Sequence, residues 1–275
     1  MAAMDGLLLG GLVARWSYGC GLHGTLRVTS LELENSTLSE PLVVAFASDF
    51  HAGPTTHPVV FKTLVDELKA IEPDLFLLGG DYVFCRAGHI DVLCEYLSQY
   101  TPALGTYAVL GNHDLWTDDE HINRCLTTSG VRVLVNDNVS LPHPFDCVSI
   151  CGTDDPWTGN ADIAKTFTGA SAVRILLTHS PDALLLLKDE QFDVAFAGHT
   201  HGGQIALRDG TPIVAAGGPL SRIYGRGRFD IAGRGPLIVS RGVGNSTIPI
   251  RVNADPELII CTLKPKGGSF LGFID

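Results

Sequence analysis

The sequence predicts an α/β protein in which buried strands alternate with helices. Three observations support this fold class. Apolar runs recur along the 275-residue chain, a short loop of polar residues and glycine follows each run, and most loops lead into apolar residues at helical spacing. Strands that are apolar at nearly every position are typical of sheets covered on both faces.

The first half of the chain contains three such units. Strands are predicted in "LVVAFAS" (42–48), "LFLLGG" (75–80) and "TYAVLG" (106–111), and the helices follow in 57–73, 88–99 and 118–130. The third helix ends at Gly130, a residue suited to a helix C-terminus.

The second half repeats the arrangement twice and then changes. "VRVLVNDNVSL" (131–141) predicts a hairpin with Asn136, Asp137 and Asn138 in the turn. The stretches 173–189 and 193–203 again join an apolar run to a polar loop. After residue 204 we expect only short strands, the last of them in "PELIICTL" (256–263).

Length and linker composition indicate one domain. No low-complexity tract divides the chain, and 275 residues lie near the upper limit for a single core. We expect an N-terminal extension in 1–41 that could add one edge strand, a catalytic domain in 42–265 and a tail in 266–275.

Charge and cysteine content exclude several classes of protein. A net charge of −11 argues against a nucleic-acid partner held by a general basic surface. Seven cysteines without a CxxC pair fit a reducing compartment rather than a disulfide framework or a structural zinc site. The N-terminal apolar run 7–13 is far shorter than the ~20 residues of a membrane span. We therefore expect a cytoplasmic protein, with peripheral contact to the inner face of the membrane left open.

Side chains that can bind a metal follow five of the predicted strands. These candidates are Asp49, His51, Asp81, Asn112, His179, His199 and His201. Because open α/β sheets bind ligands at the carboxyl ends of their strands, we expect the seven to converge. In the D-x-H and H-x-H pairs, an extended backbone would direct both side chains to the same side.

The donor types predict the metal chemistry. Carboxylate, imidazole and one amide oxygen, without a thiolate, suit Mn²⁺, Fe or Zn²⁺, of which we favour Mn²⁺. Seven candidates exceed what one ion with open positions would take. Two ions ~3.5–4 Å apart that share a carboxylate would use all of them, and that arrangement promotes phosphoester displacement.

The order of these motifs resembles that of the calcineurin-like metallophosphoesterases. "ASDFHAG", "LLGGDYV", "AVLGNHD", "LLTHSPD" and "AGHTHGGQI" carry the resemblance, which covers about residues 42–263. It implies a two-sheet sandwich flanked by helices in four αββα layers. The later stretch "VSRGVGNSTIPIRVNADPEL" is similar to a bacterial subgroup that includes UDP-2,3-diacylglucosamine pyrophosphatases of lipid A synthesis.

The resemblance also implies roles for individual residues. Asp49, His51, Asp81 and His201 would hold one metal, and Asp81, Asn112, His179 and His199 the other, with Asp81 bridging. A metal-bridging hydroxide would attack phosphorus in line. The catalytic residue His113 would contact the phosphoryl or leaving oxygen as a stabiliser or general acid.

One position departs from the family pattern. Many relatives continue the second motif as G-D-x-x-D-R, and the second aspartate orients the motif histidine. Here "GDYVFCR" places Phe84 and Cys85 at those two positions, so His113 lacks that carboxylate.

The function classes left by the sequence differ in their metal content. We expect a two-metal hydrolase of phosphodiesters, phosphomonoesters or pyrophosphates, with a lipid-linked phosphate ester as one alternative substrate. A non-catalytic scaffold or a single-zinc hydrolase would hold fewer than two catalytic ions. Seven arginines could grip a second phosphate or anionic lipid, or could instead protect strand edges: Arg208, Arg222, Arg226, Arg228, Arg234, Arg241 and Arg251.

Overall fold

The computed structural model of the chain describes residues 8–214 and 216–266. The expected tail therefore lies outside the described residues except for Lys266, and so do the first seven residues.

Six α-helices and twelve strands are present in the described ranges. The helices are α1 (Leu12–Gly19), α2 (Val59–Ile71), α3 (Ile90–Leu97), α4 (Asn112–Leu115), α5 (Asp119–Thr128) and α6 (Ile163–Phe167). The strands are β1 (Arg27–Asn35), β2 (Leu42–Ala47), β3 (Leu75–Leu78), β4 (Thr106–Ala108), β5 (Val131–Val133), β6 (Asp137–Ser140), β7 (Val148–Gly152), β8 (Val173–Leu177), β9 (Val194–Ala197), β10 (Gly227–Ile231), β11 (Gly235–Val239) and β12 (Glu257–Pro265).

The strands form two six-stranded sheets. Their orders are β1-β12-β2-β3-β4-β5 and β10-β11-β9-β8-β7-β6. β2, β3 and β4 are parallel neighbours in the first sheet, and β7, β8 and β9 in the second. Residues 27–35, which precede the expected domain, form the edge strand β1 and pair with β12.

The two sheets pack face to face, and helices cover their outer faces. Phe46 of β2 and Phe196 of β9 meet between the sheets, with ring centroids 5.1 Å apart. Helix α2 buries the stripe Phe61, Leu64 and Leu68 against the outer face of the first sheet. Helix α6 covers the second sheet through Phe167. These four layers confirm the predicted αββα architecture.

The hairpin predicted in 131–141 is wrong. β5 pairs with β4 in the first sheet, whereas β6 pairs with β7 in the second. Between them, Leu134 is buried between the sheets, and the carboxamide of Asn136 accepts hydrogen bonds from the backbone of Asp154 and Asp162. Turn-forming residues indicate a change of direction, but packing decided that the chain crosses to the other sheet.

Strand register brings the loops that follow the strands to one edge. Ala47 pairs with Leu78, and Leu78 pairs with Ala108, so β2, β3 and β4 end level with one another. Leu177 of β8 likewise pairs with Phe196 near the end of β9. Among the described residues, no helix combines the length and apolar character needed to cross a membrane.

Candidate metal centre

The loops after five strands bring all seven candidate ligands together. These loops follow β2, β3 and β4 in the first sheet and β8 and β9 in the second. The candidates lie two to four residues beyond their strands, apart from the second histidine of each pair: Asp49 and His51 follow β2, Asp81 follows β3, Asn112 follows β4, His179 follows β8, and His199 and His201 follow β9.

The backbone at this edge is not extended, contrary to the prediction for the D-x-H and H-x-H pairs. Five of the seven candidates have positive φ: Asp49 (54°), His51 (43°), Asp81 (56°), His199 (70°) and His201 (53°). Left-handed conformations cost a non-glycine residue about 1–2 kcal/mol each. Tight turns, not strand alternation, therefore direct these side chains inward.

Hydrogen bonds between neighbouring loops hold these turns. The N–H of Asp49 donates to the carbonyl of Gly80 at 2.9 Å, and the N–H of His51 donates to the carbonyl of Asp81 at 3.0 Å. The N–H of His199 donates to the Asp49 carboxylate at 3.0 Å, which joins the two sheets across the site.

The first group of donors is Asp49, His51, His201 and Asp81. The Nε2 atoms of His51 and His201 lie 2.9 Å apart. Nε2 of His201 lies 3.5 Å from Oδ1 of Asp49, and Nε2 of His51 lies 3.5 Å from Oδ2 of Asp81. Three of the four side chains, those of Asp49, His51 and His201, form one set of potential metal ligands.

The second group is Asp81, Asn112, His179 and His199. Nε2 of His179 lies 3.4 Å from Oδ2 of Asp81 and 3.1 Å from Oδ1 of Asn112. Nδ1 of His199 lies 3.1 Å from the same Asn112 oxygen and 3.3 Å from Nε2 of His179. Oδ2 of Asp81 is therefore common to both groups. Asp49 also lies near Asp81 and His179, so its position does not restrict it to one ion.

Backbone carbonyls determine which nitrogen each histidine of the second group presents. Nδ1 of His179 lies 2.8 Å from the carbonyl oxygen of Gly79, and Nε2 of His199 lies 3.2 Å from that of Gly217. A carbonyl oxygen can only accept, so these nitrogens carry the protons. In the neutral rings, the lone pairs on Nε2 of His179 and Nδ1 of His199 then face the Asn112 and Asp81 oxygens.

When both rings are neutral, four hydrogen-bond acceptors converge here and no donor lies among them. The four are Nε2 of His179, Nδ1 of His199, Oδ1 of Asn112 and Oδ2 of Asp81. Such an arrangement is repulsive unless a cation lies between the atoms, and imidazole nitrogen with carboxylate and amide oxygen suits a divalent metal ion. The donor set therefore fits a metal.

The electrostatics of the site favour a positive charge beside Asp81. Burial alone would lower the pKa of His179, but the carboxylates of Asp81 and Asp49 outweigh it and raise the pKa well above its usual value. Burial and neighbouring cations instead lower the pKa of His51, to about 3, and that of His201. The last two rings are therefore neutral at pH 7, with lone pairs available to a metal.

Supporting residues missed from the sequence lie directly behind the ligands. Buried Asp114 accepts hydrogen bonds from the N–H groups of Asp81 (2.8 Å), Tyr82 (2.9 Å) and Gly111 (2.9 Å), so it joins the two loops that carry Asp81 and Asn112. Its place in the "GNHD" motif is the signal that could have identified it.

Two further supports come from elsewhere in the chain. Ser48 donates to Asp49 at 2.6 Å. The buried guanidinium of Arg251 donates to the carbonyls of Arg241 and Ala254, and its Nη2 lies 3.4 Å from Nδ1 of His201. Neither side chain has a local sequence pattern that predicts this role.

His113 lies beside the two groups with its ring among aromatic side chains. Its backbone N–H donates to Oδ1 of Asp81 at 2.8 Å. Its ring meets the ring of His51 edge-on, with centroids 4.7 Å apart, and packs against Trp116 at 4.8 Å. Burial lowers the pKa of His113.

Comparison with known proteins identifies the family. A family model described as calcineurin-like phosphoesterase matches residues 42–203, more than half of the chain. The chain belongs to the calcineurin-like phosphoesterases. This confirms the resemblance drawn from the motifs.

Individual relatives of this calcineurin-like phosphoesterase cover most of its length. It is 30% identical over 234 residues to phosphodiesterase YaeI of Escherichia coli (strain K12), spanning 81% of this chain and 82% of that protein. It is 28% identical over 272 residues to the uncharacterized metallophosphoesterase YkuE of Bacillus subtilis (strain 168), spanning 94% and 93%. Among solved structures, a 5'-nucleotidase precursor from Thermus thermophilus matches with a TM-score of 0.46 and 14% identity, over 82% of this chain and 54% of that one.

A cleft of about 460 Å³ opens onto the candidate ligands of this phosphoesterase. Five of the seven line it, as does His113: His51, Asp81, Asn112, His199 and His201. Apolar side chains form much of the remaining lining. No lysine or arginine of residues 8–214 and 216–266 lines the cleft.

Most arginines of the basic segment 208–251 of this phosphoesterase have structural partners. Arg228 pairs with Asp230 at 2.9 Å and Arg241 with Glu257 at 2.8 Å. Arg226 donates to the carbonyl of Asn253, and Arg234 to that of Lys188, both at 2.7 Å. Arg251 is buried as described above. These contacts account for five of the seven without a phosphate.

Proposed function

We propose that this chain hydrolyses phosphate esters with two divalent metal ions, the bond being a phosphodiester, phosphomonoester or pyrophosphate. The observation that carries the proposal is the position of Asp81. One of its carboxylate oxygens, Oδ2, lies 3.5 Å from Nε2 of His51 in one donor group and 3.4 Å from Nε2 of His179 in the other. A carboxylate shared between two sets of acceptors is what a two-metal site requires.

The residues divide into two ligand sets on this proposal. Asp49, His51 and His201 would hold one ion, Asn112, His179 and His199 the other, and Asp81 both. When bound, such a metal pair neutralises charge on the phosphoryl oxygens and lowers the pKa of the water that attacks phosphorus. The mixed oxygen and imidazole donors favour Mn²⁺, with Fe and Zn²⁺ as alternatives.

The chain itself supplies orientation and charge control. The carbonyls of Gly79 and Gly217 hold one proton on Nδ1 of His179 and one on Nε2 of His199, so Nε2 of His179 and Nδ1 of His199 are the nitrogens that would face a metal. His113, beside Asp81 in the cleft, would stabilise the phosphoryl oxygen or deliver a proton to the leaving oxygen.

The test combines metal analysis with a hydrolysis screen. Purified protein loaded with Mn²⁺, Fe²⁺ or Zn²⁺ would be analysed for bound metal and assayed on bis(p-nitrophenyl) phosphate, p-nitrophenyl phosphate and a nucleoside diphosphate sugar. We expect about two ions per chain and hydrolysis of at least one ester.

Asp81→Asn should lose both hydrolysis and bound metal. Asp66→Asn is the matched control, because Asp66 is exposed on α2 and pairs with Lys62 away from the site. Hydrolysis that persists in Asp81→Asn, or one ion per chain in the active protein, would overturn the two-metal proposal.

A further inference from the structure

The cleft combines the candidate metal ligands with apolar side chains that remain exposed to solvent. Trp116 is 55% exposed, Val214 69% and Ile248 41%, and all three line the cleft together with Ile205 and Ala216. Large exposed apolar side chains that line a cleft are typical of a binding site for an apolar group.

Hydrogen bonds hold this apolar lining in place. Ile213 donates through its N–H to the carbonyl of Ile205 at 2.9 Å, which anchors the backbone next to Val214. The side-chain amide of Gln204 donates to the carbonyls of Ser246 (3.0 Å) and Ile248 (2.8 Å). The two segments that carry Val214 and Ile248 are thus tied to the loop that follows His201.

The charge of the lining limits what the apolar surface can receive. No lysine or arginine among the described residues lines the cleft, so a second phosphate or another anionic group would lose hydration there without a cation to replace it. A phosphodiester carries one negative charge, which the metal site would neutralise, and its remaining substituent need not be charged.

From these observations we propose that the enzyme selects phosphodiesters that carry an apolar substituent, which lies against Val214, Ile248 and Trp116 while the phosphate lies at the metal ligands. This inference rests on the proposed function and adds the substrate class to it. Water would add to phosphorus and the bond to the leaving oxygen would break. The products are an alcohol and a phosphomonoester that retains the other substituent.

A homologous series of substrates tests the proposal. p-Nitrophenyl esters of methyl, butyl and octyl phosphate share one leaving group and differ only in the retained substituent. Each fully buried methylene is worth about a fourfold gain, so we expect kcat/KM to rise at least about tenfold from methyl to butyl. The phenyl ester, compared with the butyl ester, distinguishes stacking on Trp116 from an alkyl site, and both should exceed the methyl ester.

Variants locate the effect. Val214→Ser combined with Ile248→Ser should lower the octyl-to-methyl ratio of kcat/KM toward one, because the two serines remove apolar surface that the longer chain would cover and leave every candidate ligand unchanged. Leu185→Ser combined with Val135→Ser is the control, because these exposed side chains (56% and 43%) do not line the cleft. The control should keep the ratio of the unmodified protein.

A binding measurement does not depend on turnover. Calorimetry should find that dibutyl phosphate binds more tightly than dimethyl phosphate and with a more negative heat-capacity change. A flat substrate series, or a gradient that survives Val214→Ser with Ile248→Ser, would overturn this inference while hydrolysis continued. Absence of hydrolysis of every ester by Mn²⁺-loaded protein would instead overturn the proposed function.

Discussion

The ring of Phe84 stacks on the ring of His113, with centroids 5.6 Å apart and 29° between the planes. Phe84 is buried, and Trp116 packs against His113 at 4.8 Å. By the motif resemblance, Phe84 occupies the position at which an aspartate would be expected to orient this histidine. In this chain aromatic packing therefore positions the His113 ring. Because position 84 is not a carboxylate, it does not stabilise the protonated form of His113.

Phe84→Leu should lower turnover about tenfold while both metal ions remain bound, because the smaller side chain leaves the His113 ring free to tilt. Phe84→Tyr keeps the aromatic face and should restore most of the rate. kcat and bound metal would be measured together. Phe145→Leu, a buried phenylalanine between the sheets, controls for a general loss of packing. Unchanged kcat in Phe84→Leu would show that the stacking does not orient His113.

His113→Ala should reduce kcat by about 10²-fold and leave the metal content at two ions per chain. The reason is that His113 would contact the reacting phosphoryl group, whereas the proposed ligand sets are complete without it. Elemental analysis and steady-state kinetics check both halves of this prediction, with His121→Ala on the outer helix α5 as control. A lost ion would instead make His113 a ligand, for which it is close enough to His51 and Asp81.

Gly203→Val should weaken metal binding although no ligand changes. Gly203 has φ of 80°, and an added Cβ would lie 2.8 Å from the Cα of Pro212, so the turn after His201 would have to shift. Gly130→Val is a matched control: Gly130 has φ of 84° but open space around it, and so reports backbone strain alone. Titration with Mn²⁺ should show reduced affinity only for Gly203→Val. Equal affinity in the two variants contradicts the prediction.

Asp182→Ala should weaken the binding of one of the two ions. Buried Asp182 accepts hydrogen bonds from the N–H of Leu220 (2.8 Å) and the hydroxyl of Ser221 (2.7 Å), and thereby holds the loop whose Gly217 carbonyl orients His199. Asp182→Asn keeps one acceptor and should retain part of the affinity. The readout is the stoichiometry of tightly bound metal. If Asp182→Ala still held two tightly bound ions, the loop that Asp182 holds would not influence metal binding.

The control is Asp209→Ala. Asp209 is exposed, and its carboxylate accepts a hydrogen bond from the N–H of Thr211.

His23 should make the fold sensitive to acid. The side chain is buried, neither ring nitrogen has a hydrogen-bond partner among the described residues, and burial together with Arg251 and His57 lowers its pKa from 6.5 to about 4. A histidine whose pKa is lowered by folding is neutral in the folded protein, whereas the unfolded chain takes up a proton near pH 6.5. Its contribution to stability is therefore complete above pH 6.5 and is lost as the pH falls toward 4.

Urea unfolding at pH 7.0 and pH 5.5 measures this effect. The unmodified protein should lose about 1 kcal/mol more between the two pH values than His23→Phe, because every other titrating group is common to both. The same loss in both proteins would show that His23 does not titrate as its surroundings indicate.

Local patterns were enough to predict most of the fold and to single out seven side chains that the structure brings together. Apolar runs predicted β2, β3 and β4, and helical spacing predicted α2, α3 and α5. These predictions succeed because the side of a segment that is buried sets the spacing of its apolar residues, whatever the rest of the chain does. The seven candidate ligands were recognisable for a similar reason. Each follows a strand, and parallel strands present such residues at a common edge.

Tertiary contacts decided which strands pair and which nitrogen each histidine of the site presents. The run 131–141 would contain turn residues in a hairpin as well. The separation of β5 from β6 depends on long-range contacts, namely the pairing of β5 with β4, the pairing of β6 with β7, and the burial of Leu134 between the sheets. The carbonyls of Gly79 and Gly217 carry no side-chain signal, yet they select the nitrogens that His179 and His199 present.

The aromatic contact of His113 shows the same division. The sequence by itself determined that an aromatic residue, Phe84, and not a carboxylate, stands three residues after Asp81. Only the folded chain decided that the Phe84 ring lies against His113, because that contact joins loops that follow two different strands and requires the register of β3 against β4. Residue types and spacing are local properties of a chain, whereas tautomer, ring orientation and the shape of the cleft are set by long-range packing.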